Sequence, residues 1–528
     1  MFKSVATVTV FSVLTRVLGF VFKIYVARVF GAETIGLYQI SISVLSLLFA
    51  FAASGISPIL SRRVAELTAL NDGKKADSLL AASVIIVAAL STIIVVLSYI
   101  FRDYIGVLFS DKRSEPMFLI MLPILVSTSI YACIRSWFWG RREYLTFSFT
   151  EFMEELFRLL FTILLAAGIF GVFSGQNAIA IAVVSADFFS LFVLAFIFFK
   201  RGGKMGKPAE FKNLTKRSLP LTAVRISGGF VSSFTALIIP SRLIASGMST
   251  AEATAVYGRV AGMALPLIMV PTMLVGALAV VLIPEIAAAH AAKRIKSVEK
   301  RVQSSLLFTV LTASIFVTLY IPLGQHISRI LFNDAEAGTF VQLAAALIFP
   351  ISINQISNTI LNSLGMEKNT FFHYVAGAVV LIPILVFLPG VIGIYAIAAG
   401  TFACFALTSV LNIIKIKKKL GTRVIDIKKS VLTLIFTIGC TALGWFLQSL
   451  LSRYVGDVFV VIAVTLVCGG LFAACVQIFK IASIKSIFVR KGGQKKPVPV
   501  DAGGHGIITL STRRGSLLRR ADKRRRDL

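Results

Sequence analysis

Five cations stand inside otherwise apolar stretches of this chain: Arg16, Lys23, Arg158, Arg225 and Arg242. A guanidinium or ammonium at depth in hydrocarbon costs roughly 2.5–3.5 kcal/mol on insertion scales, so such groups usually face a polar cavity. Arg16 and Lys23 are two helical turns apart and share one helix face, forming a cationic stripe. Arg16 is mid-span, with no acidic residue in the apolar stretch around it. Such a stripe suits an anion, and a phosphate group is the anion that cationic donors match best.

Each cation also has a plainer reading. Arg158 follows Glu154 by four residues and Glu155 by three, the spacing of an intrahelical salt bridge. Arg225 lies close to one end of its stretch, and Arg28, Arg135 and Arg259 stand at others, where long side chains snorkel to the headgroups. Acidic residues at depth are few: Asp187, and Glu151, Glu154 and Glu155 grouped together. Asp187, Glu154 and Glu155 are the candidates for coupling to an ion, and a cation-coupled drug antiporter would need them. Cations dominate the candidate lining, which favours an anionic cargo such as the pyrophosphate of a lipid-linked sugar.

The elements that must position these residues are membrane spans. Of 528 residues, 57% are hydrophobic and only 15% charged, with a mean hydropathy of +0.88. A soluble domain is nearer half apolar with about a quarter charged. The pattern reads as an all-α polytopic membrane protein with about fourteen spans. They lie near 6–29, 36–60, 79–101, 117–139, 147–169, 178–199, 219–244, 259–284, 305–323, 341–364, 370–388, 391–414, 430–451 and 457–479. The organisation expected is a first group over 1–200, a basic linker over 201–218, a second group over 219–414 and two further spans over 415–479. A basic, disordered tail is expected over 480–528.

The net charge of +30 does not point to nucleic acid, because position decides its meaning. With the N-terminus inside, Arg62, Arg63, Lys74 and Lys75 share one inner loop, and Arg141 and Arg142 the next. Lys200 to Arg217, Lys293 to Arg301 and Lys415 to Lys429 follow on the same side, as loops beside an anionic cytoplasmic leaflet should. Both termini are then cytoplasmic and the expected location is the cell membrane. The first stretch is too long, and too charged, for a cleavable signal peptide. Ser57-Pro58-Ile59-Leu60 and Ile283-Pro284-Glu285-Ile286 each lead into a basic loop six spans apart, a hint of two like-oriented halves. Pro123, Pro240, Pro266, Pro271, Pro322, Pro350 and Pro383 fall inside spans and can kink them. Trp137 and Trp139 read as interfacial anchors.

The five cysteines lie in apolar stretches without C-x-x-C spacing and the four histidines are scattered, so no metal or other cofactor is expected. A membrane glycosyltransferase would carry a substantial outer loop. The longest expected here, near 102–116 and 324–340, have only about 15–17 residues, so no enzyme activity is expected.

Thr15-Arg16-Val17-Leu18-Gly19-Phe20, followed by Tyr25-Val26-Ala27-Arg28-Val29-Phe30-Gly31, resembles the first helix of the multidrug/oligosaccharidyl-lipid/polysaccharide exporter superfamily. Gly36-Leu37-Tyr38 and Ser54-Gly55-Ile56-Ser57-Pro58-Ile59-Leu60-Ser61-Arg62 look like its second. Ile239-Pro240-Ser241-Arg242-Leu243, Tyr257-Gly258, and Pro266 through Ile283-Pro284-Glu285 are similar to the stage V sporulation protein B branch, which is related to lipid II flippases of the MurJ type. The resemblance implies two six-helix lobes around a central cavity plus two C-terminal helices. It also implies alternating access that carries a polyprenyl-pyrophosphate-linked sugar or peptidoglycan precursor, with a link to spore cortex and cell-wall synthesis proteins as candidate partners. Arg16 matches the first cation of the flippase motif. At the second, this chain has Phe22, with Lys23 beside it, and Leu45 to Ala52 is apolar where the MurJ type carries charge.

Overall fold

The computed structural model describes residues 2–166, 176–421, 424–479 and 481. The expected tail, except Ile481, lies outside the described residues. Every regular element among them is a helix. Eleven are long and apolar enough to cross a membrane, or twelve if the bent pair Ser114–Met121 and Ile124–Gly140 is one span. The difference from the expected fourteen has two physical sources. The first helix, α1 (Phe2–Ala52), runs through two expected spans, and Tyr144–Ala166 carries four charged residues.

Gly31 explains the first. At φ 80°, ψ 175° it breaks the helical path in the middle of α1, a conformation that a side chain would strain. The chain turns there and comes back, bringing Tyr38 to 6.0 Å from Phe22, so α1 is two helical legs joined without a loop. The return leg breaks again after Ala52 and continues as α2 (Ile56–Ala69), short of the single span expected over 36–60. There follow α3 (Gly73–Ile100), the single turn α4 (Arg102–Gly106), α5 (Ser114–Met121), α6 (Ile124–Gly140), α7 (Tyr144–Ala166) and α8 (Gln176–Lys200). The bend between α5 and α6 falls at Pro123, whose ring cannot continue the preceding helix.

The second set opens with α9 (Phe211–Ala245) and α10 (Thr250–Gly258), then a π-helical turn over Arg259–Ala264 that runs into α11 (Leu265–Ala291). Next come α12 (Ile295–Phe332), α13 (Ala335–Ala344), α14 (Ile348–Ser363), α15 (Glu367–Phe387), the turn α16 (Pro389–Ile392) and α17 (Ala396–Leu420). The loop expected over 324–340 is therefore mostly helix, interrupted only around Asn333, which adopts a left-handed cap at φ 58°. A final pair, α18 (Ile427–Leu451) and α19 (Asp457–Ile478), packs on α12.

The buried side chains show how the two sets meet. At the end away from the basic loops, one apolar core takes residues from both: Phe22, Val26 and Leu37 with Tyr257, Met263, Phe332 and Phe340. At the basic end that core divides. Leu60, Val64, Leu80, Cys133, Trp137 and Phe198 form one cluster, and Val275, Ile286, Val302, Ile360 and Ile416 form another. Trp137, expected at the interface, is instead core: it is 1% exposed and meets the Phe198 ring edge-on at 5.0 Å. Trp139 remains exposed.

Polar contacts reinforce the joined end. Arg28 Nε donates to the Leu331 carbonyl at 2.7 Å, and a second guanidinium nitrogen donates to Ile330. Gln39 Nε2 donates at 2.7 Å to the Ala261 carbonyl, in the π turn. Thr254 Oγ1 donates to buried Asp111 at 3.0 Å, and Arg113 bridges Asp111 and Glu33. The two sets thus share one core at this end and have separate clusters at the other, where Leu214 of α9 joins the first cluster.

Candidate functional site

Between the separate clusters is where a deep cation could meet a ligand, and helix geometry decides which ones can. On the first leg of α1, Phe11 packs edge-on against Phe149 and Phe152 of α7, and Thr15 is buried. Phe20, further round, meets Phe332 of α12 at 6.1 Å. At 3.6 residues per turn, Arg16 and Lys23 point about a quarter turn from the α7-facing ridge, toward the α12 side. Arg16 is exposed there, and among the described residues it has no hydrogen bond or ion pair. Lys23 is half-buried and interacts electrostatically with Glu155, whose carboxylate lies against Gly19 one turn away.

Arg158 stands differently. Its guanidinium is bonded to Glu155 at 2.8 Å, Glu154 at 3.0 Å and Asp187 of α8 at 3.3 Å. Thr128 of α6 donates its hydroxyl to the second Asp187 oxygen at 2.8 Å. The expected intrahelical salt bridge is present and extends to a third carboxylate from another helix. This assembly ties α6, α7 and α8 together inside the first lobe and places both coupling-candidate stretches in one cluster. Removing one partner of a buried charge network strands the others, typically at about 3–5 kcal/mol. Arg158→Ala is therefore expected to lower the melting temperature sharply, and thermal unfolding in detergent checks it. Arg158→Ala/Asp187→Asn should recover part of the loss.

Arg242, at the far end of α9, donates its Nε to the Val386 carbonyl of α15 at 2.7 Å and so ties two helix ends together. Arg225 is exposed and, among the described residues, unpartnered. One turn beyond it, Gly229 packs against Leu47 of α1, while Gly228 lies beside the Tyr374 hydroxyl of α15. Arg225 emerges between those two contacts. The five candidates thus divide: Arg16 and Arg225 are free, Lys23 faces one carboxylate, and Arg158 and Arg242 are engaged by the protein itself. Thr128 was not legible as a site residue, because a lone hydroxyl in an apolar run carries no spacing signal.

Comparison with known proteins agrees with this architecture. A family model described as polysaccharide biosynthesis protein matches residues 1–290. Stage V sporulation protein B of Bacillus subtilis (strain 168) is 25% identical over 459 residues, covering 84% of this chain and 87% of that protein. Sporulation protein YkvU of the same organism is 23% identical over 394 residues, covering 71% and 84%. Among solved structures, the lipid II flippase MurJ in an inward closed conformation superposes with a TM-score of 0.67 at 15% identity, over 88% of this chain and 98% of that one. A multidrug resistance MATE transporter in an inward-facing conformation gives 0.62 at 12% identity, over 77% and 94%. Those structures share the fold. The family model spans more than half of the chain, so this multi-pass membrane protein belongs to the polysaccharide biosynthesis protein family.

Proposed function

We propose that this protein moves a polyprenyl-pyrophosphate-linked saccharide, such as a peptidoglycan precursor, across the cytoplasmic membrane by alternating access. The observation that carries the proposal is the pair of free cations, Arg16 and Arg225, on α1 and α9. A guanidinium left unpaired at that depth is costly unless an anion joins it, and pyrophosphate offers oxygens on both sides. A cleft between the two sets of helices would open to the cytoplasm, where the basic loops lie, receive the headgroup, and release it after the joined end parts. The match to stage V sporulation protein B favours a role in spore cortex synthesis.

A cation-coupled drug antiporter of the same fold is the second reading. It is disfavoured because a cationic cargo would have to displace Arg158 from Glu154, Glu155 and Asp187. Those carboxylates are better placed to take up a driving proton or cation than a bulky cargo. Their charges outnumber Arg158, and Lys23 beside Glu155 would sense any change. Proteoliposomes holding the full chain decide between the two readings. Transfer of a fluorescent polyprenyl-pyrophosphate disaccharide from one leaflet to the other is expected, without uptake of a cationic dye. Dye uptake abolished by Asp187→Asn, with the lipid left in place, would reverse the assignment.

A further inference from the structure

His373 lies two turns inside α15, on the ridge with Gly377 and Leu381 that packs against α17. Behind it is a polar network that belongs to neither the cation stripe nor the Arg158 cluster. Asn412 of α17 is fully buried, and its amide nitrogen donates to Asn358 Oδ1 at 2.7 Å and to Ser357 Oγ at 3.0 Å, both on α14. Asn358 in turn donates to Asn354 Oδ1 at 3.3 Å, and Ser357 donates to the Asn354 carbonyl. These bonds fix the Asn412 amide with its oxygen toward α15. That oxygen lies 2.7 Å from His373 Nδ1.

An amide oxygen can only accept, so Nδ1 must carry the ring proton and Nε2 is left as the free base. Nε2 has no hydrogen-bond partner among the described residues, and it is not sealed from solvent. A second proton can therefore arrive at Nε2 without breaking any bond of the network. Charging the ring strengthens Nδ1–H as a donor, and the chain of donors running from α15 through α17 into α14 strengthens with it.

The surrounding charges are few. α14 and α16 carry no ionisable side chain, and α17 brings Cys404 and, a turn beyond Asn412, Lys415. α15 itself carries Glu367, Lys368 and Tyr374. α9 brings Arg225, one turn before the point where Gly228 meets Tyr374. None of these is hydrogen-bonded or ion-paired to His373. We propose that His373 is a proton-binding site of the second lobe, held ready by Asn412 and set beside the helix that presents Arg225 to the anionic cargo. Its protonation adds a positive charge on the helix that packs against α9, so an anionic cargo and the proton are expected to favour each other's binding. This linkage rests on the transport reading above; the proton site itself does not.

The chain has four histidines, so uniform 15N-histidine labelling of the intact protein in lipid gives few ring signals. The His373 signals are those lost in His373→Gln and, independently, those that persist when the other three are replaced by Gln. Expected near pH 8 is the Nδ1–H tautomer with bare Nε2. Both nitrogens should become protonated within the acidic range of a pH series. A ring protonated on Nε2 alone, or one that keeps a single state across that range, overturns the site whether or not any lipid is carried. In proteoliposomes, an imposed pH gradient should change the rate of fluorescent polyprenyl-pyrophosphate disaccharide transfer at least threefold, and His373→Gln should remove that dependence. Transfer in the unaltered protein that ignores the gradient, or a variant that keeps it, overturns the linkage.

Discussion

Replacing Arg16 and Arg225 together by Ala should lower transfer of a polyprenyl-pyrophosphate saccharide by at least about a hundredfold while leaving the fold intact. A hydrogen bond to a charged group contributes about 1.5–3 kcal/mol, so two guanidiniums together contribute about 3–6 kcal/mol to holding the headgroup. Each 1.36 kcal/mol is a factor of about ten. Among the described residues neither side chain supports a neighbour through a hydrogen bond or ion pair, so melting temperature should stay within a few degrees of the unaltered protein. Arg242→Ala provides the contrast. It removes a bond to the Val386 carbonyl between two helix ends, and should reduce stability with less than about a tenfold effect on transfer. Initial transfer rates in proteoliposomes, alongside melting curves, separate the two patterns.

The second large effect concerns the joined end. Gly36 on the return leg of α1 packs on the Thr254 carbonyl of α10, and Gly258 packs on the Ala32 carbonyl of α1. A Cβ added at either glycine would overlap backbone, and no rotamer can relieve that. Ile35 further along covers Gly262. The two lobes thus approach at backbone distance only while both positions lack side chains, as small-residue interfaces between membrane helices do. Gly36→Val and Gly258→Val should each prevent this end from closing. Transfer should fall below detection, because a cycle confined to one side moves nothing, while each lobe keeps its own core. Spin labels at Ser110 and Ser241, on opposite sides of the seal, should report a longer distance in both variants. An unchanged distance with lost transfer would show that the glycines act in some other way.

The sequence made the membrane class, the position of the basic loops and the paired character of Arg158 legible, because each rests on composition or on spacing within one helix. Arg158's third carboxylate, Asp187, was not assignable, since the contact joins α7 to α8 across space. The same limit separates Arg16 from Arg242: both look like lone cations in apolar runs, and only the fold shows one exposed and the other bonded to a carbonyl. Trp137 was misplaced for a related reason. Its sequence neighbours mark a helix end, but α2 and α8 fold over it, and burial of the ring outweighs its usual place at the interface. Gly31 was read within a motif, yet its positive φ, not the motif, is what makes α1 fold back on itself. The spans also run longer than hydropathy suggested, because polar helix ends such as Ile295–Ser304 continue the helix beyond the apolar stretch.

The most direct test of anionic-headgroup binding between the lobes is photo-crosslinking, with a polyprenyl-pyrophosphate saccharide that carries a diazirine on its first sugar. Peptide mapping after irradiation is expected to place the label on α1 around residues 12–23 and on α9 around residues 221–229, and excess unlabelled lipid pyrophosphate should compete it away. Label confined to the outer surface of α18 and α19, or label that unlabelled lipid fails to displace, would contradict a headgroup site between the lobes.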